Sequence, residues 1–168
     1  MAPWRVGACL ADDMGLGKTL QALALILERA AVGPTLVVAP TSVCANWISE
    51  AARFVPSLKT FLHADDRNLL DIGPMQLCVT SYGLLHQDID VLAGVEWQTV
   101  ILDEAQSIKN AHTKRSQSVM QLKAQIKIIL IGTPIENHLS EMWNLFHFIN
   151  PGLLGSYASF QKRFIDPI

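Results

Sequence analysis

Ala11-Asp12-Asp13-Met14-Gly15-Leu16-Gly17-Lys18-Thr19 is the stretch on which the reading of this chain turns. A Gly-x-Gly-Lys-Thr run opening a helix is a phosphate cradle: glycines let backbone N–H groups curl around phosphate oxygens, the lysine neutralises the outer phosphates, and the threonine hydroxyl can ligate Mg²⁺. The segment predicts ATP binding, with Asp13, Met14, Gly15, Leu16, Gly17, Lys18 and Thr19 around the nucleotide. The general form of this loop begins with a glycine where this chain carries Asp12, so the match is to a variant. The flanks support it. Val6 to Ala11 reads as a short apolar strand, and Leu20 to Ala31 as a helix apolar almost all round, stopped by Gly33-Pro34.

A second signal stands far downstream. Thr99-Val100-Ile101-Leu102-Asp103-Glu104 is an apolar strand ending in paired carboxylates, which a magnesium nucleotide site requires opposite its phosphate loop. Asp103 is expected to hold the metal together with Thr19. Glu104, one residue on, can turn toward the terminal phosphate and deprotonate or orient water. Acidic residues at a strand end also serve as caps for a following helix, so the pair gains its force from the loop upstream.

Composition sets the remaining limits. A chain of 168 residues, half of them hydrophobic, can bury about two-thirds of its unfolded surface as one compact domain. Apolar runs are short, none approaches a membrane span, and Met1-Ala2-Pro3-Trp4-Arg5 lacks the apolar core of a signal peptide, which points to a soluble cytoplasmic protein. Cys9, Cys44 and Cys78 are odd in number and far apart, so they read as small buried hydrophobes and not as a disulfide or zinc framework. The histidines at 63, 86, 112, 138 and 147 show no ligand spacing and read as structural or surface residues. A net charge of −2 excludes an indiscriminate phosphate-coating protein, so any DNA contact must be local. Lys109, Lys114 and Arg115 form the best basic patch, although a solvated face explains them slightly better.

Periodicity places strands near 6–11, 35–39, 58–62, 76–80, 98–103 and 126–131, with helices near 18–31, 43–54, 113–122, 139–149 and 156–164. This alternation implies an α/β fold: a mostly parallel sheet covered on both faces, connected by right-handed crossovers. In such sheets ligands sit beyond the carboxyl ends of the strands. The polar clusters fall there: Asp12 to Thr19, Pro40-Thr41-Ser42, Thr80-Ser81-Tyr82, Asp103 to Gln106 and Gly132-Thr133-Pro134. Leu139, Met142, Trp143, Phe146 and Ile149 recur at helical spacing and predict a buried stripe. Trp47 and Trp97 are read as packing, since large aromatics beside strands are far more often core than stacking platforms.

The ordered series Asp12-Asp13-Met14-Gly15-Leu16-Gly17-Lys18-Thr19, Val38-Ala39-Pro40, Val79-Thr80-Ser81-Tyr82, Asp103-Glu104-Ala105-Gln106 and Gly132-Thr133-Pro134-Ile135-Glu136-Asn137 resembles the Swi/Snf-type ATPases, helicase-like DNA translocases of superfamily two. Asp12 is what that family's own loop carries. The resemblance extends through Leu139 to Phe146 and Asn150-Pro151-Gly152 to Phe164, covering nearly the whole chain. Gln106 stands where many relatives have histidine, a form frequent in bacterial members. The resemblance implies a RecA-like P-loop lobe, the N-terminal one of a pair. It implies Lys18 and Thr19 on phosphates and Mg²⁺, Asp103 on Mg²⁺, Glu104 as catalytic base and Gln106 coupling nucleotide to DNA. It further implies that Pro40, Thr41 and Ser42, then Thr80, Ser81 and Tyr82, lie near the phosphate backbone of double-stranded DNA, with Gly132, Thr133 and Pro134 as a strut sensing the terminal phosphate. Thr41 and Ser42 also stand where helix caps stand.

The same resemblance implies that residues 1–168 form a single ATP-binding lobe, shortened at both ends relative to a full motor, whose partner lobe would supply the missing arginine fingers. Alone, the chain is expected to bind Mg-ATP weakly, with little hydrolysis. The function expected of the parent protein is DNA-dependent ATP hydrolysis near the nucleoid, driving translocation or the remodelling of a DNA-bound protein. The alternatives are a P-loop switch acting on a protein partner and an inactive, interaction-only fragment. The Thr-Ser-Tyr and Gly-Thr-Pro-Ile-Glu-Asn clusters favour the motor over the switch, because a simple switch needs neither.

Overall fold

The computed structural model describes residues 6–12, 17–63, 69, 71–132 and 138–167. The expected positions Asp13, Met14, Gly15, Leu16, Thr133 and Pro134 lie outside these residues. In chain order the elements are β1 (Ala8–Ala11), α1 (Lys18–Arg29), β2 (Thr35–Ala39), α2 (Thr41–Phe54), β3 (Lys59–Leu62), β4 (Gln76–Ser81), α3 (Tyr82–Gln87), α4 (Ile89–Ala93) and β5 (Glu96–Leu102). A 3-10 turn (Ala105–Ile108), α5 (Lys114–Met120), β6 (Lys123–Ile131), α6 (Leu139–Ile149), α7 (Tyr157–Phe160) and a wider π-type turn (Gln161–Ile165) complete the order.

The strands form one six-stranded sheet in the order β1-β6-β5-β2-β4-β3, and every pairing is parallel. Parallel neighbours require crossovers, and the apolar composition of the central strands reflects burial on both faces. Alternation of side chains along each strand sorts the core in two. Leu36, Val38, Val100, Leu102, Ile129 and Ile131 face Tyr82, Leu85, Leu92, Val119, Leu145 and Phe148, from α3 to α6. Val37, Ala39, Val79, Ile101, Ile128 and Leu130 face the other way, onto Leu23 and Ile26 of α1 and Cys44, Trp47 and Ala51 of α2. The result is a three-layer α/β sandwich, as expected from the alternation.

Some expectations are corrected. The buried side of α6 is Asn144, Leu145, Phe148 and Ile149, so the stripe is rotated from the one expected. Asn144 owes its place to polar partners: its amide donates to the Ile108 carbonyl and to Ser116 Oγ. Trp143 is only half-buried, stacked on His147 at 4.6 Å and edge-on to Tyr157 at 5.3 Å. The helix expected over 43–54 begins at Thr41, with Pro40 in the capping position and no side-chain cap. Thr41 and Ser42 are therefore in the first turn and do not cap it. Cys44 and Cys78 are buried as expected, Cys9 is half-buried, and none of the three forms a disulfide.

Edge strand β1 is tied down by a side chain that imitates a strand. Gly7 N–H donates to Asn150 Oδ1 at 2.8 Å, and Asn150 Nδ2 donates to the Gly7 carbonyl at 3.2 Å. The approach is close enough that a Cβ on Gly7 would meet the Ile149 carbonyl and stand 2.6 Å from the Lys127 carbonyl oxygen. No helix among the described residues is long and apolar enough to cross a membrane.

Candidate functional site

The parallel topology brings the carboxyl ends of all the strands to one edge, and the candidate residues gather there. Beyond β1, Gly17 adopts φ 74°, ψ 31°, the left-handed conformation that turns the loop into α1. Among the described residues a Cβ there would meet nothing within 4 Å. The start of α1 has no side-chain cap and no acidic residue in its first turn. Among the described residues no side chain caps its first N–H groups, which carry the positive end of the helix dipole. Lys18 Nζ donates to the Asp12 carbonyl at 2.6 Å, and Thr19 sits half-buried in the same turn.

Asp103 follows β5, with only β6 between it and β1. Neighbouring strands lie about 4.8 Å apart, so the carboxyl ends of β1 and β5 lie roughly 10 Å from each other. Asp103 is 7% exposed. Its Oδ2 accepts the indole N–H of Trp47 at 2.8 Å, and its Oδ1 accepts the backbone N–H of Glu104 at 2.9 Å. Its own carbonyl accepts the hydroxyl of Tyr82 at 2.7 Å. Burial pushes the Asp103 carboxyl above its usual range and the charge of Glu104 adds to this, while the Trp47 and Glu104 hydrogen bonds and the Lys18 ammonium pull it down. Burial, followed by the charges of Asp103 and Glu104, raises the Tyr82 phenol well above normal.

Glu104 sits at φ 48°, ψ 52°, a left-handed conformation that a branched or long side chain adopts only when its surroundings impose it. Gln106 Nε2 donates to Glu104 Oε2, and Gln106 Oε1 is buried with no partner among the described residues. Asp103, Glu104 and Gln106 therefore form one continuous hydrogen-bonded unit on a strained turn. Gly132 follows β6 at the same edge and is half-buried.

The polar clusters expected near a nucleic-acid backbone divide in two. Thr41 and Ser42 are exposed at the uncapped start of α2, next to half-buried Pro40. Thr80 and Tyr82 are 0% and 2% exposed, and both side chains point into the fold, Tyr82 to reach Asp103. Ser81 Oγ accepts the Leu84 N–H and caps α3, so its hydroxyl has a structural role. The basic patch is partly committed, with Lys109 Nζ 3.4 Å from Glu141 and the Arg115 guanidinium 6.0 Å from the Tyr82 ring. Trp97 donates its indole N–H to the Leu92 carbonyl and is a packing residue. Trp47 is more than that. Its signal in the sequence is general, since a buried indole N–H needs an acceptor, but the acceptor's identity depends on a contact between residues 56 apart.

The donor set suits a magnesium nucleotide. An uncapped helix start and a lysine resting on a backbone carbonyl offer positive partners to phosphates, and each Asp103 oxygen keeps a lone pair beyond the bond it accepts. Among the described residues no group of three or more His, Cys, Asp and Glu side chains could hold a metal ion; a Mg²⁺ site built from a carboxylate, a hydroxyl and phosphate oxygens needs no such group.

The all-parallel sheet, the left-handed turn into α1 and the acidic turn after β5 together define a RecA-like lobe. Residues 4–168 match the SNF2-related domain, and the chain belongs to that family. It is 47% identical over 172 residues to YwqA of Bacillus subtilis (strain 168), named as an ATP-dependent helicase/translocase, covering 96% of this chain and 19% of that protein. It is 40% identical over 182 residues to the chromatin-remodeling ATPase INO80 of Cryptococcus neoformans, covering 97% of this chain and 10% of that one. Among solved structures it resembles the Sulfolobus solfataricus SWI2/SNF2 ATPase core in complex with dsDNA, with a TM-score of 0.84 and 42% identity over 95% of this chain and 34% of that one. The chain thus spans about a fifth or less of the length of these full-length relatives.

Proposed function

We propose that this chain is the nucleotide-binding lobe of an ATP-dependent motor that tracks double-stranded DNA, and that it hydrolyses ATP together with a second RecA-like lobe of the same parent protein. The observation that carries the reading is the placement of an uncapped helix start with Lys18 across one strand from the Asp103–Glu104 pair. The family supports the nucleotide, and the structural neighbour in complex with dsDNA supports the partner.

Lys18 leaves the Asp12 carbonyl and donates to the outer phosphates, while the N–H groups of Asp13 to Thr19 surround them. Thr19 Oγ1 and Asp103 would hold Mg²⁺. When bound, the ion neutralises phosphate charge that would otherwise repel an incoming nucleophile. Glu104 takes the proton of the attacking water, and Gln106 sets the orientation of the Glu104 carboxylate through the bond already present. Pro40, Thr41 and Ser42 meet the DNA backbone at the start of α2, where N–H groups and hydroxyls grip phosphates without reading sequence. Gly132, Thr133 and Pro134 join this edge to the terminal phosphate. Work on nucleoid DNA, or on a protein bound to it, follows from the same reading.

The test is ATP turnover by the full-length protein with saturating duplex DNA, read beside nucleotide affinity. Lys18→Ala is expected to lose both. Glu104→Gln is expected to keep nucleotide affinity and lose turnover by about a hundredfold or more. Turnover unaffected by either substitution would contradict the proposal.

A further inference from the structure

We infer that Trp47 is a positioning residue: its indole N–H sets the carboxylate of Asp103 in the orientation that receives the metal–nucleotide. The inference rests on the proposed role of Asp103 and adds a residue that no polar pattern in the sequence identifies.

Trp47 is 0% exposed and lies in the middle of α2, packed with Cys44, Ala51, Val37 and Val79. Filling that space needs only an apolar ring. An indole there introduces an N–H that costs free energy unless it is bonded, and the acceptor is a carboxylate oxygen at 2.8 Å. Bonds to an ionised acceptor are about twice as strong as neutral ones. The second oxygen of the same carboxylate is held from the other side by the Glu104 N–H, at 2.9 Å. Rotation about the Cβ–Cγ bond of Asp103 would therefore break one bond or both. The backbone of the residue is held independently, by the Tyr82 hydroxyl on its carbonyl at 2.7 Å. Tyr82 and Trp47 approach from opposite faces of the sheet, so the main chain and the side chain of Asp103 are fixed by separate layers of the sandwich.

A metal ligand benefits from such restraint. Orientation of a ligating group by a hydrogen bond behind it commonly changes metal affinity tenfold or more. In the proposed function Lys18 and the start of α1 would hold the phosphates, and neither takes part in the Trp47–Asp103 bond. Loss of the indole N–H should then weaken only that part of nucleotide binding that depends on the metal.

The experiment compares affinity for a fluorescent ADP analogue in Mg²⁺ and in EDTA, for the wild-type protein and Trp47→Phe, which keeps an aromatic ring and removes the donor. The expected result is a Mg²⁺-dependent gain in affinity that falls about tenfold in the variant, with affinity in EDTA within about twofold of wild type. A purely structural role would lower the melting temperature and leave that gain unchanged, and an unchanged gain overturns the inference. Should Trp47→Phe fail to fold, the wild-type indole ¹H–¹⁵N resonance of Trp47 decides: it should shift with ADP and Mg²⁺ and not with ADP in EDTA, and an equal shift in both conditions overturns the inference. A wild-type protein with no Mg²⁺-dependent gain at all contradicts the role proposed for Asp103, and the inference falls with it. A normal wild-type gain preserved in the variant sinks the role of Trp47 alone.

Discussion

Glu104, in the candidate site, is held against its own backbone preference. A non-glycine residue in the left-handed region costs about 1–2 kcal/mol, and here the Asp103 Oδ1 bond and the Tyr82 bond hold the turn in place. Glu104→Gly should relieve that cost. The substitution is expected to leave the fold as stable as wild type, or more stable by up to about 1 kcal/mol in denaturant titration, while abolishing turnover by the full-length protein. A loss of more than about 1 kcal/mol would show that the side chain supports the fold and that the turn is not strained. At this scale the sequence is only partly readable. Lys18, Thr19, Asp103 and Glu104 are singled out by type and spacing. Trp47 and Tyr82 do not, because what distinguishes them from packing residues is the atom each one reaches after folding.

Elements are legible in proportion to their length and periodicity. β2 matches its expected range, and β1, β3, β4 and β5 differ by at most two residues at either end. β6 begins at Lys123, earlier than expected, because its first residues alternate polar and apolar at the sheet's outer end and lack a continuous apolar run. α3 and α4 have no counterpart among the expected helices. With six and five residues they are shorter than the window in which a helical period can be recognised, and Gly83 interrupts the first of them. The last expected helix divides into α7 and a wider turn.

Among the elements, the clamp on β1 makes a clear prediction. Asn150→Ala removes an acceptor and a donor from Gly7 and should destabilise the fold by about 1–3 kcal/mol, with faster hydrogen exchange concentrated in Ala8–Ala11. Uniform exchange across the sheet would mean that the clamp does not act locally.

Lys127, on β6, supplies a pH dependence. Burial lowers its pKa from the usual 10.5, and its ammonium lies 4.9 Å from the Phe148 ring centre. Between the lowered folded value and 10.5 the unfolded chain binds more protons than the folded one, so stability rises with pH across that interval. Below the folded value this contribution is flat. Lys127→Met should remove the rise, as followed by melting temperature from neutral pH upward. A variant with the same alkaline slope as wild type would mean that another group titrates there.

Taken as a whole, the lobe is an all-parallel sandwich whose described candidate site residues gather at one edge. The two faces cooperate there: α1 and α2 carry Lys18 and Trp47 from one side, while α3 supplies Tyr82 from the other. The fold class follows from the alternation of strands and helices, and the family from ordered motifs spread over nearly the whole chain. The internal wiring of the edge is hidden from the sequence, since it depends on contacts between residues remote along the chain.

If this edge is one wall of a nucleotide site, as proposed, hydrolysis needs the second lobe. ATP hydrolysis should therefore be measured with and without duplex DNA, for this chain and for a version extended through a second lobe. Nucleotide binding is expected of both forms, and DNA-stimulated turnover of the extended form alone. Full DNA-stimulated turnover by this chain on its own, abolished by Lys18→Ala, would contradict the shared-site proposal.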